Sequence, residues 1–113
     1  MTNARVRRGR KSQDLVADRV RHLWPDAAGV PASLPGRDVL HTPGIAIEVK
    51  AVNTVNLPGW LRQACKNAGD DLPVVVHRPP GFGPASIDQW AAVVPLGTFI
   101  QLLEEAGHGV QGR

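Results

Sequence analysis

The run Leu72-Pro73-Val74-Val75-Val76-His77 limits this chain more than any other feature. It is nearly continuous in apolar residues and carries three valines in a row, so it reads as a strand buried on both faces. Such a strand needs cover from two sides. In a chain of 113 residues, a length that suits one domain, the cover has to come from segments before and after it.

Ser12 reads as a helix cap, with Asp14 near the helix's positive end. Val16, Val20, Leu23 and Trp24 then share one apolar face until Pro25 stops the helix. Residues 1–11 ahead of it read as a flexible basic arm, and residues 26–37 as a loop with room for a short strand. Asp38–Leu40 reads as a short strand. His41-Thr42-Pro43-Gly44 is a turn, with Pro and Gly where a type II turn prefers them, and Ile45–Val52 is the second strand of the resulting hairpin. On that strand Ile45, Ile47, Val49 and Ala51 lie on one face, and Ala46, Glu48, Lys50 and Val52 on the other.

Pro58 opens a second helix that reaches about Asn67, and Gly69 ends it. Beyond the buried strand, residues 78–86 are a loop and Trp90–Val94 is a last strand. Thr98 then caps a closing helix with Phe99, Leu102, Leu103 and Ala106 inward. The expected organisation is one domain over 12–107 with a tail at 108–113, of the α/β class, a mixed sheet flanked by helices.

The net charge of +3 is unevenly placed. Arg5, Arg7, Arg8, Arg10, Lys11, Arg19 and Arg21 face only Asp14 and Asp18 over the first 22 residues. Such an arm attracts phosphate backbones without reading sequence, and it also serves simply to solubilise. Cys65 is the only cysteine, which excludes an intrachain disulfide or a cysteine-rich zinc site and fits a reducing compartment. No apolar run is long enough to span a membrane, and the N-terminus lacks the apolar stretch of a signal peptide, so a cytoplasmic protein is expected.

Chemistry concentrates on one strand. Glu48 and Lys50 are two apart and project from the same face, while Val49 between them faces the core. Asp38, ten residues before Glu48, can be brought toward it by the turn. Two converging carboxylates and a backbone carbonyl make a hard oxygen site suited to Mg²⁺, or Mn²⁺ in its place. A lysine beside it can orient a water and stabilise charge growing on a phosphate.

Gly36-Arg37-Asp38-Val39 followed by Ile47-Glu48-Val49-Lys50-Ala51 resembles the PD-(D/E)XK nuclease superfamily, nearest to its small Holliday junction resolvases, including those of phages. Three further stretches share the likeness: the basic opening Arg8-Gly9-Arg10-Lys11-Ser12-Gln13, the helix carrying Trp60-Leu61-Arg62-Gln63-Ala64, and the strand Leu72–Val76. The resemblance implies a restriction-endonuclease-like αβββαβ core and a Mg²⁺-dependent, structure-selective DNA endonuclease that acts on branched or duplex DNA as a homodimer, in a bacterial host's cytoplasm if phage-encoded. It implies that Asp38, Glu48 and the Val49 carbonyl hold the metal and that Lys50 positions water. Many members add an acidic residue from the first helix. Here Gln13 stands at that position, with Asp14 and Asp18 nearby, and Ser33 is the candidate for a serine that resolvases carry before the aspartate. Arg7, Arg8, Arg10, Lys11, Arg37, Gln63 and Lys66 are the expected DNA contacts. Two other readings stay open: a restriction-like or end-processing nuclease, and a DNA-binding module of the same fold that does not cut.

Overall fold

A computed structural model describes residues 4–31 and 36–110. Along the chain it places α1 (Ala4–Arg19), β1 (Ala28–Gly29), β2 (Val39–Leu40), β3 (Ile45–Lys50), α2 (Leu57–Ala68), β4 (Leu72–His77), a 3₁₀ segment (Pro84–Gln89), β5 (Ala91–Val93) and α3 (Leu96–Glu105). The protein is mixed α/β. β3, β4 and β5 form one sheet in that order, with β3 and β4 parallel and β4 and β5 antiparallel. β1 and β2 make a separate antiparallel ribbon. Among the described residues no helix is long and apolar enough to cross a membrane.

β4 is the central strand, as its run of valines demands. Val75 faces the small core made with Trp60 and Ala64 of α2. Val76, on the opposite side, packs against the larger core of Val16 and Ala17 from α1 with Ala27, Val39, Ile47, Val49 and Trp90. The two helices therefore cover the two faces of the sheet. α2 forms where Pro58 and Gly69 bracket it; Asn56 caps it by accepting from the Gly59 N–H at 3.2 Å.

Three expectations are corrected. The flexible arm is the first: residues 4–11 are the opening turns of α1, and Ser12 is a fully buried residue inside the helix, not its cap. Its hydroxyl donates to the Arg8 carbonyl one turn back at 2.6 Å and accepts from the Arg78 guanidinium at 3.1 Å. Arg8 in turn donates to the carbonyls of Ala51 and Pro79, so tertiary bonds carry the helix forward past the basic run.

The hairpin is the second. β2 pairs with β1, and β3 pairs with β4. The turn itself forms, with Ile45 N–H donating to the Thr42 carbonyl and Gly44 at φ 95°. But His41 just before it sits at φ 65°, a left-handed conformation uncommon for a residue with a Cβ, and this turns the chain out of a continuous ladder. What remains between β2 and β3 is one main-chain rung, Asp38 N–H to the Ile47 carbonyl at 3.1 Å, and one side-chain bond described below.

The third is α3. It begins at Leu96, with Thr98 buried in its first turn, while Phe99 and Ala106 are exposed and Leu102 and Leu103 only half-buried. The strand before it, β5, is just three residues long.

Candidate functional site

Asp38, Glu48 and Lys50 meet at the outer edge of β3. The Val49 N–H donates to Asp38 Oδ2 at 2.7 Å, which fixes the aspartate against the strand one residue beyond Glu48. In a strand the N–H and C=O of one residue point to the same edge. The Val49 carbonyl therefore opens on the side that holds Asp38.

Glu48 is 2% exposed. Burial pushes its carboxyl up to about 7, and the neighbouring Asp38 adds to the rise through its charge and a hydrogen bond. The Asn67 amide, which donates to Glu48 Oε1 at 2.7 Å, and the charge of Lys50 oppose the shift without cancelling it. Lys50 Nζ donates to Gln63 Oε1 at 2.9 Å. Gln63 and Asn67 are one helical turn apart on α2, so a single face of that helix serves both charged residues of β3.

The segment leading into Asp38 is tied to the same helix. Asn67 Nδ2 also reaches the Gly36 carbonyl at 3.4 Å. Arg37 forms a half-buried ion pair with Asp71 at 2.7 Å and donates to the Ala68 carbonyl at 2.8 Å, satisfying an end group of α2. This guanidinium, expected on a phosphate, is committed to the protein. Gly36 is needed for its φ of 104° and not for close approach, since nothing stands within 4 Å of where a Cβ would be.

The first helix contributes little to this cluster. Gln13 is half-buried, and no hydrogen bond joins it to Asp38 or Glu48. The Asp14 carboxylate lies against Gly29, where a Cβ would collide with it. Asp18 pairs with Arg21 at 2.8 Å. Arg7, Arg10 and Lys11 line a shallow cleft with Asp14, on a different side of α1 from Arg8. Lys66 is exposed, and Ser33 lies outside the described residues. His77 stacks near Trp60, with ring centres 5.0 Å apart, and both are buried, so they belong to the packing of α2. Arg78 is also buried, over the Trp90 ring.

Asn67 is the residue that sequence reasoning missed. Its signal was available: Gln63 and Asn67 are four apart on a helix whose other face is the Trp60, Ala64 and Ala68 stripe.

Among the described residues no three His, Cys, Asp or Glu side chains gather as metal ligands. Two carboxylates, Asp38 and Glu48, do come together, and Asp38 is close enough to raise the proton affinity of Glu48. A divalent cation would relieve that repulsion, so Asp38, Glu48 and the Val49 carbonyl are a fitting, if sparse, hard-oxygen donor set. Comparison with known proteins finds no matching family model, no matching curated protein and no matching solved structure.

Proposed function

We propose that this protein is a metal-dependent endodeoxyribonuclease of the PD-(D/E)XK type, structure-selective in the manner of a Holliday junction resolvase. The observation that carries the reading is the buried Glu48 beside Asp38, with Lys50 on the same face of β3. The element order, helix, three strands, helix and strand, is compatible with such a core, with β1 and β2 forming a ribbon apart from the β3–β4–β5 sheet. Asp38, Glu48 and the Val49 carbonyl would hold Mg²⁺, or Mn²⁺ in its place. When bound, such an ion lowers the pKa of a water and neutralises charge on the phosphate.

The chain's own part is positional. Asn67 holds Glu48 through its amide, and the Val49 N–H holds Asp38 at the strand edge beside it. Lys50, steadied by Gln63, offers a cation to orient the attacking water and to meet charge developing on the scissile phosphate. One domain carries one such centre, so cutting both strands of a junction calls for a homodimer.

The test is to incubate the protein with Mg²⁺ and synthetic four-way junctions, flaps and duplexes. Cleavage is expected for the wild type and lost in Asp38→Asn and Glu48→Gln. If the wild type cuts none of these substrates, or either variant cuts as well, the proposal is wrong. A restriction-like or end-processing nuclease would cut the linear duplex arms as readily as the junction.

One observation favours a second reading. No carboxylate of α1 joins the centre, with Asp14 against Gly29 and Asp18 on Arg21. A DNA-binding module of this fold without catalysis would show that economy. A Mg²⁺ titration separates the two: the module gives no binding heat and no change in DNA affinity.

A further inference from the structure

Beyond the carboxylate cluster, the molecule carries a groove of about 490 Å³ between the first turns of α1 and the segment that follows β3. Ala4, Arg5 and Arg8 form one wall, and Ala51, Val52, Asn53 and Thr54 the other. Its second wall starts one residue past Lys50 in sequence, while its first is the opening of α1.

Its electrostatics are unusual for a protein surface. Arg8 is fixed in place by the carbonyls of Ala51 at 3.4 Å and Pro79 at 3.1 Å. Behind it lies Arg78, 8% exposed, whose guanidinium donates to the Phe82 carbonyl and the Ser12 hydroxyl. Burial and the charge of Arg8 both push the proton affinity of Arg78 down. Among the described residues the ion pairs are Arg19 with Asp88, Arg21 with Asp18 and Arg37 with Asp71, so no carboxylate answers Arg5, Arg8 or Arg78. Cations packed together without a counter-charge repel one another, and an anion in the groove relieves that.

We infer that this groove takes the phosphodiester backbone of a DNA strand, with Arg5 on a phosphate, the fixed charge of Arg8 behind it, and Asn53 and Thr54 as further hydrogen-bond donors. Backbone contacts of this kind fix the register of a duplex without reading its bases. The inference rests on DNA being the substrate, as proposed above. At about 490 Å³ the groove is roomy for a lone phosphate, which favours a chain of phosphates over a single ion.

The test uses the full chain and a fluorescent duplex, with affinity read by anisotropy in EDTA, so that neither metal nor cleavage contributes. Arg5→Gln should weaken binding about tenfold and reduce the salt slope by about one. Thr54→Glu, which places an anion in the groove without touching α1, should weaken it at least as much. Arg19→Gln makes the same charge change at the far end of the same helix and should stay within about twofold of wild type. If Arg5→Gln and Thr54→Glu both bind like wild type, the groove does not hold DNA. If inorganic phosphate alone raises the melting temperature through Arg5 as much as the duplex does, the site is a small-anion pocket and the backbone assignment falls. The outcomes separate from those of the nuclease reading: an Arg5-dependent binder that never cuts in Mg²⁺ keeps the groove and loses the enzyme, and a cutter indifferent to Arg5 does the reverse.

Discussion

Ile47 and Val49 turn from β3 toward α1, while Glu48 and Lys50, on the same six residues, turn toward α2. The α1 side is closed by apolar contacts with Val16, Ala17 and Trp90. The α2 side is closed in part by Trp60 and Ala64 and in part by two amide side chains, Gln63 and Asn67. A helix that offers only alkyl groups could not cover a carboxylate, because a buried charge without a hydrogen-bond partner is expensive. A helix that places an amide every turn can. The site is therefore the part of an ordinary helix–sheet interface where the facing helix has exchanged apolar residues for amides.

Several changes would break or sharpen that contrast. The largest effect should come from Asp38→Asn and Glu48→Gln on the polar face. Cleavage in Mg²⁺ should fall well beyond the 10- to 100-fold that is roughly the reach of residues acting through a ligand, measured as single-turnover rates on a four-way junction. On the apolar face, Ile47→Ala should cost about 2–4 kcal/mol in denaturant unfolding and leave cleavage by the folded fraction unchanged. A comparable loss of cleavage by the folded protein would mean that the two faces do not act separately.

Asn67→Leu keeps the shape of α2 and removes the amide. It should lower Mg²⁺ affinity or the cleavage rate by roughly 10- to 100-fold, as read by metal titration and by rate, with Asn67→Gln recovering part of it.

The smallest expected effect is on the metal-free fold. Glu48 has its proton affinity raised from 4.5 to about 7. The folded state then binds a proton that the unfolded chain has already released. This contribution to stability is complete below about pH 4.5 and is lost as pH rises through about 7. In EDTA the melting temperature should therefore fall between pH 5 and pH 8 by more in the wild type than in Glu48→Gln. Equal slopes would show that Glu48 is not held in this way.

Much of this was written in local pattern. The alternation along Ile45–Lys50 assigned Glu48 and Lys50 to one face, and the structure has both bonded to α2. Pro58 and Gly69 marked α2 because their backbone limits act locally. The parts that were not legible depend on distant partners. β1 is two small residues with no alternation to detect, so local pattern does not show its pairing with β2 and points β2 to β3 instead. Ser12 has the composition of a cap, but Arg78, 66 residues away, makes it a helix-interior residue. Arg37 looked like a phosphate ligand because its partners, Asp71 and the Ala68 carbonyl, come together only after α2 has formed.

The bond from Val49 N–H to Asp38 has a consequence for self-association. β3 is an outer strand of its sheet, and on its open side Asp38 supplies both the donor to Ile47 and the acceptor for Val49. A strand edge with unmet N–H groups is a template for other chains. Asp38→Ala would strip that acceptor and leave a sticky border, so it should scatter light on concentration where Asp38→Asn stays clear. On this view the aspartate screens the strand edge as well as being a candidate ligand, and any variant at that position should retain a hydrogen-bond acceptor.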